Sequence, residues 1–187
     1  FGGADAAVIV CDATCLERNL NLVLQTIEIT PHTAVCINVM DEAKKRNIEI
    51  CPEILAEQLS VPVVTCTART GKGLESVLDA AQSAAMQTAR PRLPIYTAEI
   101  EEAVSLLEPL FPQNSVPSAR WLSLRMLEPE HTQTPALQNY LHSLVNEETI
   151  RQEARSSREF LARKGISPEK LQDTLTTCLI HRAEKIF

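Results

Sequence analysis

The chain of 187 residues lacks several features that mark broad classes of protein. No apolar run approaches the roughly 18 to 20 residues that span a bilayer, and the first residues lack the basic start and long apolar centre of a signal peptide. Basic charge is also scarce, because 18 Lys and Arg stand against 24 Asp and Glu, for a formal net charge of -6. Nucleic-acid affinity depends mainly on clustered Lys and Arg. We therefore expect a soluble chain with no nucleic-acid partner.

The sequence also lacks the spacing of a metal site. Cys11 and Cys15 have no matching second pair, and none of the four His residues lies at zinc-ligand spacing. Cys11, Cys36 and Cys66 lie within apolar runs, which suits small buried thiols. A chain of this length has no need of disulfides for its stability, so we expect a reducing compartment and predict no metal ligands.

The first half of the chain has the pattern of an α/β domain. Three short apolar runs, residues 6–13, 33–39 and 61–66, predict buried strands. Helical patterns follow these runs from Leu16, from Glu42, from Pro52 and from Leu74, and Thr14 is the predicted N-cap of the first helix. Continuous apolar strands that alternate with helices are typical of a parallel sheet covered on both faces. We assign residues 1–90 to this domain.

The second half has only helical periodicity. The stretch "ARPRLP", residues 89–94, has the composition of a stiff connector. Beyond it, two long helices are predicted over residues 146–164 and 168–187, with Gly165 after the first and Ser167 as the N-cap of the second. We assign residues 91–187 to an all-helical domain, so the predicted fold class is α/β followed by all-α.

Asn38 and Asp41 form an N-x-x-D pattern where the second predicted strand ends. In open α/β sheets, ligands bind at the carboxyl ends of the strands, so both side chains are candidates for a binding site. Thr67 and Ala68 follow the next strand and would lie at the same edge. The alternative is structural, because Asn and Asp are also favoured at the start of a helix, where their side chains cap it.

Guanine is the ligand that this pattern would suit. Its N1–H and exocyclic NH₂ are adjacent donors, and an ionised carboxylate such as that of Asp41 accepts both. Adenine has an acceptor at N1 and no amine beside it, so the same carboxylate rejects it. Guanine O6 needs a donor, which a backbone N–H in the loop at Thr67 and Ala68 could supply.

These residues belong to longer segments that carry a family resemblance. The segments "DATCLERNLNLVLQTIE", "INVMDEAKKRNIEI" and "VPVVTCTARTGKGLESVLDA" closely resemble the cytoplasmic GTP-binding domain of the bacterial ferrous iron transport protein B family. The segments "ARWLSLRMLE" and "EARSSREFLARKG" resemble the helical domain that follows it. The resemblance covers almost the whole chain. It implies a partial P-loop-GTPase-like parallel sheet with flanking helices, followed by a helical bundle.

The resemblance also implies roles for individual residues. Asn38 and Asp41 would hold guanine, and the backbone of Cys66, Thr67 and Ala68 would contact its O6. Most small GTPases have Lys after the Asn, whereas Val39 stands here, as an apolar residue commonly does in this family. The implied affinity is modest and the implied release fast. Thr67 replaces a commoner Ser.

Phosphate-binding motifs are absent from the sequence. It contains no G-x-x-x-x-G-K-[ST] loop, no switch Thr for Mg²⁺ and no D-x-x-G segment, and the stretch at Lys72 is interpreted as an ordinary loop before a helix. We therefore assign no catalytic residues and expect the chain as given not to turn over GTP. By resemblance, the missing elements would precede Phe1. A sheet without those strands would expose an edge, which predicts a homo-oligomer or a swapped assembly. A clean monomer in solution scattering would contradict that prediction.

The resemblance implies a cytoplasmic guanine-nucleotide-binding regulatory region of a bacterial ferrous iron transporter. In the full-length protein, GTP binding and hydrolysis with Mg²⁺ would be coupled to Fe²⁺ uptake through its own membrane domain, at the cytoplasmic face of the inner membrane. The expected ligands of the region are GTP and GDP. The alternative is a non-catalytic helical interaction module with a vestigial nucleotide-binding half.

Overall fold

The computed structural model describes residues 3–113 and 115–186. Its strands are β1 (Ala7–Asp12), β2 (Thr33–Asn38) and β3 (Val63–Thr65). Its α-helices are α1 (Leu16–Ile29), α2 (Met40–Lys45), α3 (Pro52–Leu59), α4 (Leu74–Ala85), α5 (Ala98–Leu107), α6 (Ala119–Leu127), α7 (Pro135–His142), α8 (Glu147–Arg163) and α9 (Pro168–Ile186). The described residues up to Pro94 and from Leu179 onward form an α/β unit, and Ile95–Cys178 form a helical unit. The predicted fold class is confirmed.

The three strands form a parallel sheet in the order β1-β2-β3. Asp12 lies beside Asn38, and Ile37 lies beside Thr65. All three strands therefore end at one edge of the sheet, which brings Asn38 next to the loop that follows β3. This last strand is shorter than predicted, because Pro62 has no N–H to donate to the neighbouring strand. Its carbonyl accepts a hydrogen bond from the Val35 amide at 2.8 Å.

The α/β unit has its main core on one face of the sheet. Alternate residues of β1 and β2 point into this face and are buried, namely Ile9, Cys11, Val35 and Ile37. They pack against the apolar sides of α1 and α3, which contribute Leu20, Leu24, Leu55 and Leu59. The opposite face has a smaller cluster of Ala34, Ala80 and Ala84, and there Val8 and Val10 of β1 are 38% and 59% exposed.

The end of helix α9 belongs to the α/β unit. Leu179, Ala183 and Ile186 are buried in the same core as the strands. Nearby, the Arg182 guanidinium donates to the Gln58 carbonyl at 3.1 Å. Sequence periodicity placed these residues in the helical domain, and the proposed domain division at residue 90 stays a prediction.

The start of α1 differs from the prediction. Asp12 accepts hydrogen bonds from the Thr14 amide at 2.7 Å and from the Thr14 hydroxyl at 2.8 Å, which stabilises a 3₁₀ turn over Ala13–Cys15. The helix begins only at Leu16, and no side chain caps it at Cys15. The prediction that Thr14 is the N-cap of α1 is therefore wrong. Its hydroxyl donates a hydrogen bond to Asp12, and a tighter 3₁₀ turn precedes the helix.

The helical unit is built around α8, which packs against α5 and α6. Its buried side chains include Ile100, Leu107, Leu122, Met126, Ile150 and Leu161. Gly165 follows α8 with a positive φ of 77°, as is typical of a glycine that ends a helix. At the start of α9, the Ser167 hydroxyl accepts a hydrogen bond from the Lys170 amide at 3.3 Å, as expected of an N-cap. None of the helices in the described ranges combines the length and apolar character that crossing a membrane would require.

Candidate functional site

An open pocket of about 380 Å³ lies between the turn after β2 and the turn after β3. It is lined by Asn38, Val39, Asp41, Glu42, Lys45, Thr67 and Arg69. The parallel register produces this arrangement, since it places the turn after β2 beside the turn after β3. Three of the five predicted site residues line the pocket, and the other two, Cys66 and Ala68, flank Thr67 in the same loop.

Asn38 connects the two turns. Its Oδ1 accepts from the Val39 amide at 2.7 Å and, across the pocket edge, from the Ala68 amide at 3.0 Å. The Cys66 thiol also points at Oδ1, at 3.4 Å. Because these bonds all use Oδ1, the Nδ2 of Asn38 carries the donors that the carboxamide can offer to a ligand.

The alternative interpretation was that Asn38 and Asp41 cap helix α2, and for Asn38 it is wrong. The N-cap position is Val39, which makes no side-chain cap and has a left-handed backbone with φ of 65°. A β-branched residue in this conformation is strained, and such strain persists only where the surroundings hold it. Here the Asn38 carboxamide holds the Val39 amide, and the Met40 amide reaches the Cys66 carbonyl at 3.4 Å.

Asp41 lies in the first turn of α2, with its side chain about one-third exposed. Its Oδ2 accepts from the Arg69 guanidinium at 2.8 Å. This hydrogen bond is the main cause that lowers the pKa of Asp41 below its usual value, and the Arg69 charge and the backbone amides of Asp41 and Glu42 act in the same direction. Asp41 is therefore a carboxylate at neutral pH and an acceptor only.

The loop after β3 is fixed by backbone hydrogen bonds. The Cys66 amide donates to the Ile37 carbonyl at 2.8 Å, and the Thr67 amide donates to the Lys72 carbonyl at 2.9 Å. Cys66 and Thr67 are buried, whereas Ala68 is exposed. The Ala68 amide bonds to a side chain, so a ligand could take this N–H without breaking the backbone pairing of the loop.

Gly73 lets this loop return close to the strand. Its φ is 83°, and a Cβ at this position would lie 2.5 Å from the Thr65 carbonyl oxygen and 3.2 Å from the Cys66 Cα. Only glycine fits both the backbone conformation and the space. The glycines around Lys72 therefore have a structural explanation, in agreement with the prediction of an ordinary loop there.

Two buried thiols lie side by side on β2 and in the loop after β3. The Sγ atoms of Cys36 and Cys66 are 3.2 Å apart, and both residues are buried. Burial, with a smaller contribution from the hydrogen bond to Cys66, raises the pKa of Cys36 to about 12. Cys36 is therefore a neutral thiol at physiological pH and packs as a small apolar group against Cys66.

Arg69 was not among the predicted site residues, and it meets Asp41 from the opposite turn. The two residues are 28 positions apart in the chain, and no local periodicity predicts that their side chains meet. The only sequence signal was a basic residue in the loop directly after Thr67 and Ala68. The site thus combines a carboxylate, a carboxamide whose NH₂ can donate and a backbone amide, which together suit a flat polar ring.

The ferrous iron transport protein B family matches both halves of the chain. The family model described as "Ferrous iron transport protein B" matches residues 2–81, and that of the "FeoB cytosolic helical domain" matches residues 96–187. The Fe(2+) transporter FeoB of Escherichia coli (strain K12) is 35% identical over 128 residues, which are 68% of this chain and 16% of that protein. The Fe(2+) transporter FeoB of Salmonella typhimurium (strain LT2) is 32% identical over 127 residues, with the same coverage. The match thus spans about one-sixth of these transporters' length.

Solved structures of S. thermophilus NFeoB have the same fold. A mutant bound to GMPPNP aligns with a TM-score of 0.78 at 26% identity, over 98% of this chain and 69% of that chain. Another mutant, bound to GDP, aligns with the same TM-score of 0.78 at 23% identity, over 98% of this chain and 68% of that chain. At this lower identity, the similarity shows only that the fold is shared. With two family models that together match nearly the whole sequence, the chain belongs to the ferrous iron transport protein B family.

Proposed function

We propose that the chain is the guanine-recognition part of a cytoplasmic regulatory region of a bacterial Fe²⁺ transporter. The observation that carries this proposal is the meeting of three groups at one sheet edge: the Asp41 carboxylate, the Asn38 carboxamide and the Ala68 amide. Guanine is a flat ring with two adjacent donors on one edge and acceptors at O6 and N7 on another. The three groups complement those atoms.

Each group has a definite role in this proposal. Asp41 accepts from N1–H and the 2-amino group of guanine, and the Nδ2 of Asn38 donates to N7. The Ala68 amide donates to O6, and the buried backbone of Cys66 and Thr67 holds it in place. These contacts read the base only, so no step of hydrolysis is derived from them.

Relatives support the wider function. The curated relatives are named Fe(2+) transporters, and one similar solved structure is of an NFeoB mutant bound to GMPPNP. We propose that this chain serves the same kind of transporter, in which GTP binding and hydrolysis are coupled to Fe²⁺ uptake through a membrane domain. Family membership does not favour the alternative of a helical interaction module with a vestigial nucleotide site.

Mg²⁺ and a second protein chain are further proposed partners. Within residues 3–113 and 115–186, no three His, Cys, Asp or Glu side chains are grouped so that they could hold a metal ion, so Mg²⁺ is assigned no ligands here. Pairing with a second copy is supported by the position of β1 at the edge of the described sheet and by the exposed side chains of Val8 and Val10. Solution scattering measures this association directly.

Base selectivity of the 187-residue chain tests the proposal. In NMR titrations with GMP, IMP and AMP, GMP should bind best and should shift the Ala68 amide and the Asn38 side-chain NH₂ signals. IMP lacks the 2-amino group and loses one bond to a charged acceptor, so it should bind about tenfold more weakly. AMP should not shift these signals at the same concentration.

The same titration has a pH control. Binding requires the carboxylate form of Asp41, and its pKa lies below the usual value. Guanine affinity should therefore stay constant as the pH falls from neutral to about 5, and decline only as it passes through the lowered pKa. Equal shifts with GMP and AMP, or none with GMP, would show that this pocket does not recognise guanine.

A further inference from the structure

The ion pair between Arg69 and Asp41 lies in the pocket assigned to the base. Arg69 Nη2 is 2.8 Å from Asp41 Oδ2, and both residues line the pocket. The Arg69 side chain is 78% exposed, so little packing holds it in this position. The carboxylate assigned to guanine is thus engaged by a cation of the chain itself.

The chemistry of this cation resembles that of the proposed ligand. The guanidinium of Arg is planar and presents its N–H donors in a fixed fork that matches a carboxylate. The N1–H and 2-amino edge of guanine is also a planar pair of N–H donors on a shared carbon. Both groups are complementary to the same acceptor oxygens of Asp41, so both cannot use them fully at once.

We propose that Arg69 is an internal competitor for guanine, which occupies the base-recognition carboxylate when no nucleotide is bound and must leave when the base enters. This inference rests on the proposed function of Asp41. It makes Arg69 an affinity-determining residue of the site. Each binding event must break an existing ion pair, so the net affinity is lower than the base contacts alone would give.

The competing explanation is that the ion pair organises the site. Asp41 lies in the first turn of α2 and Arg69 in the 3₁₀ turn Ala68–Thr70, so the pair also joins the two turns. These turns are already connected without Arg69, by the bond from the Ala68 amide to Asn38 and by that from the Met40 amide to Cys66. The two explanations predict opposite effects when Arg69 is removed.

The experiment compares Arg69→Ala with the unchanged chain in NMR titrations with guanosine. Guanosine carries no phosphate, so the lost positive charge cannot act through attraction to one. We expect Arg69→Ala to bind guanosine more tightly, by up to about fivefold, as the breaking of an exposed ion pair allows. Arg69→Lys should lie between the two, since it keeps the charge and loses the fork. The gain should shrink at high salt, which screens the pair.

Arg46→Ala is the matched control. Arg46 is also exposed and lies just after α2, but its ion pair is with Glu42, at 3.8 Å. Its removal changes the net charge equally and should leave guanosine binding unchanged. A second control uses Asp41→Asn, whose carboxamide cannot form the ion pair. In that background, Arg69→Ala should no longer strengthen the binding of guanosine.

The outcomes separate this inference from the proposed function. If the unchanged chain binds guanosine and Arg69→Ala binds equally or more weakly, Arg69 is not a competitor, while the assignment of Asp41 stands. If neither chain binds guanosine, both proposals fail. A gain in affinity that Arg46→Ala reproduces would be an effect of net charge and would also overturn the inference.

Discussion

The Asp41→Asn substitution is expected to exchange the preference for guanine for a preference for xanthine. A carboxylate accepts from both N1–H and the 2-amino group of guanine, whereas a carboxamide has one acceptor and one donor group. The NH₂ of the new side chain would face the 2-amino group, donor against donor. Loss of hydrogen bonds to a charged acceptor should weaken GMP binding by about 10- to 100-fold.

Xanthine restores the complementarity. It keeps N1–H and has a carbonyl in place of the 2-amino group, so it offers one donor and one acceptor to the carboxamide. XMP should therefore bind the Asp41→Asn chain better than GMP does, and the order should be reversed in the unchanged chain. Parallel titrations of both chains with both nucleotides, followed by NMR, measure this exchange.

Glu42→Gln is the matched control for this experiment. Glu42 is the next residue, lines the same pocket and is paired with Lys45 at 3.1 Å. The substitution removes the same charge one position away, and GMP affinity should stay within about a factor of two, as for other exposed charges. Unchanged GMP affinity in the Asp41→Asn chain would overturn the assignment of Asp41, whatever the control gives.

The second large effect is expected from Gly73→Ala, which should destabilise the α/β unit by about 3 kcal/mol or more. The left-handed backbone at φ of 83° costs any residue with a Cβ about 1–2 kcal/mol. The added carbon would also lie 2.5 Å from the Thr65 carbonyl oxygen, so the strand end must shift. That shift would move Cys66 and the loop after it, and GMP binding should weaken as well.

Gly71→Ala separates the two costs. Gly71 has a similar φ of 77°, and a Cβ there would meet nothing within 4 Å. Its substitution should cost only the conformational part, about 1–2 kcal/mol. Urea unfolding, followed through the amide signals of β2, measures the free energy of unfolding of the α/β unit in both variants. Equal losses for the two variants would show that the contact with Thr65 does not restrict residue 73.

The strands and most helices of this chain could be predicted because local patterns determine them. The apolar runs before Asp12 and Asn38 are strands with nearly the predicted bounds. β2 is buried almost throughout, as in a parallel sheet covered on both faces, whereas β1 is buried on one face and leaves Val8 and Val10 exposed on the other. Arg69 could not be placed in the site in this way. Its contact with Asp41 joins residues from two separate turns, and only the register of β2 and β3 brings those turns together.

The left-handed Val39 was also beyond local prediction. Intrinsic preference excludes a β-branched residue from this conformation, and the hydrogen bonds that hold it there come partly from a loop almost thirty residues away. The position of Asn38 at a strand end predicts a place in the site, but its role as the connection between the two turns depends on the fold of a distant loop. Local rules fail here at residues of the candidate site, where strain is most often found.

The burial of Leu179, Ala183 and Ile186 against the strands has a consequence for synthesis. A ribosome makes the chain from its first residue, and Pro94 emerges long before the last helix. Until that helix has been released, the nascent α/β unit has part of its apolar core uncovered. The core beneath the base site therefore receives the side chains of Leu179, Ala183 and Ile186 only when the final turns of α9 have been made, although all residues of the site itself are made in the first half of the chain.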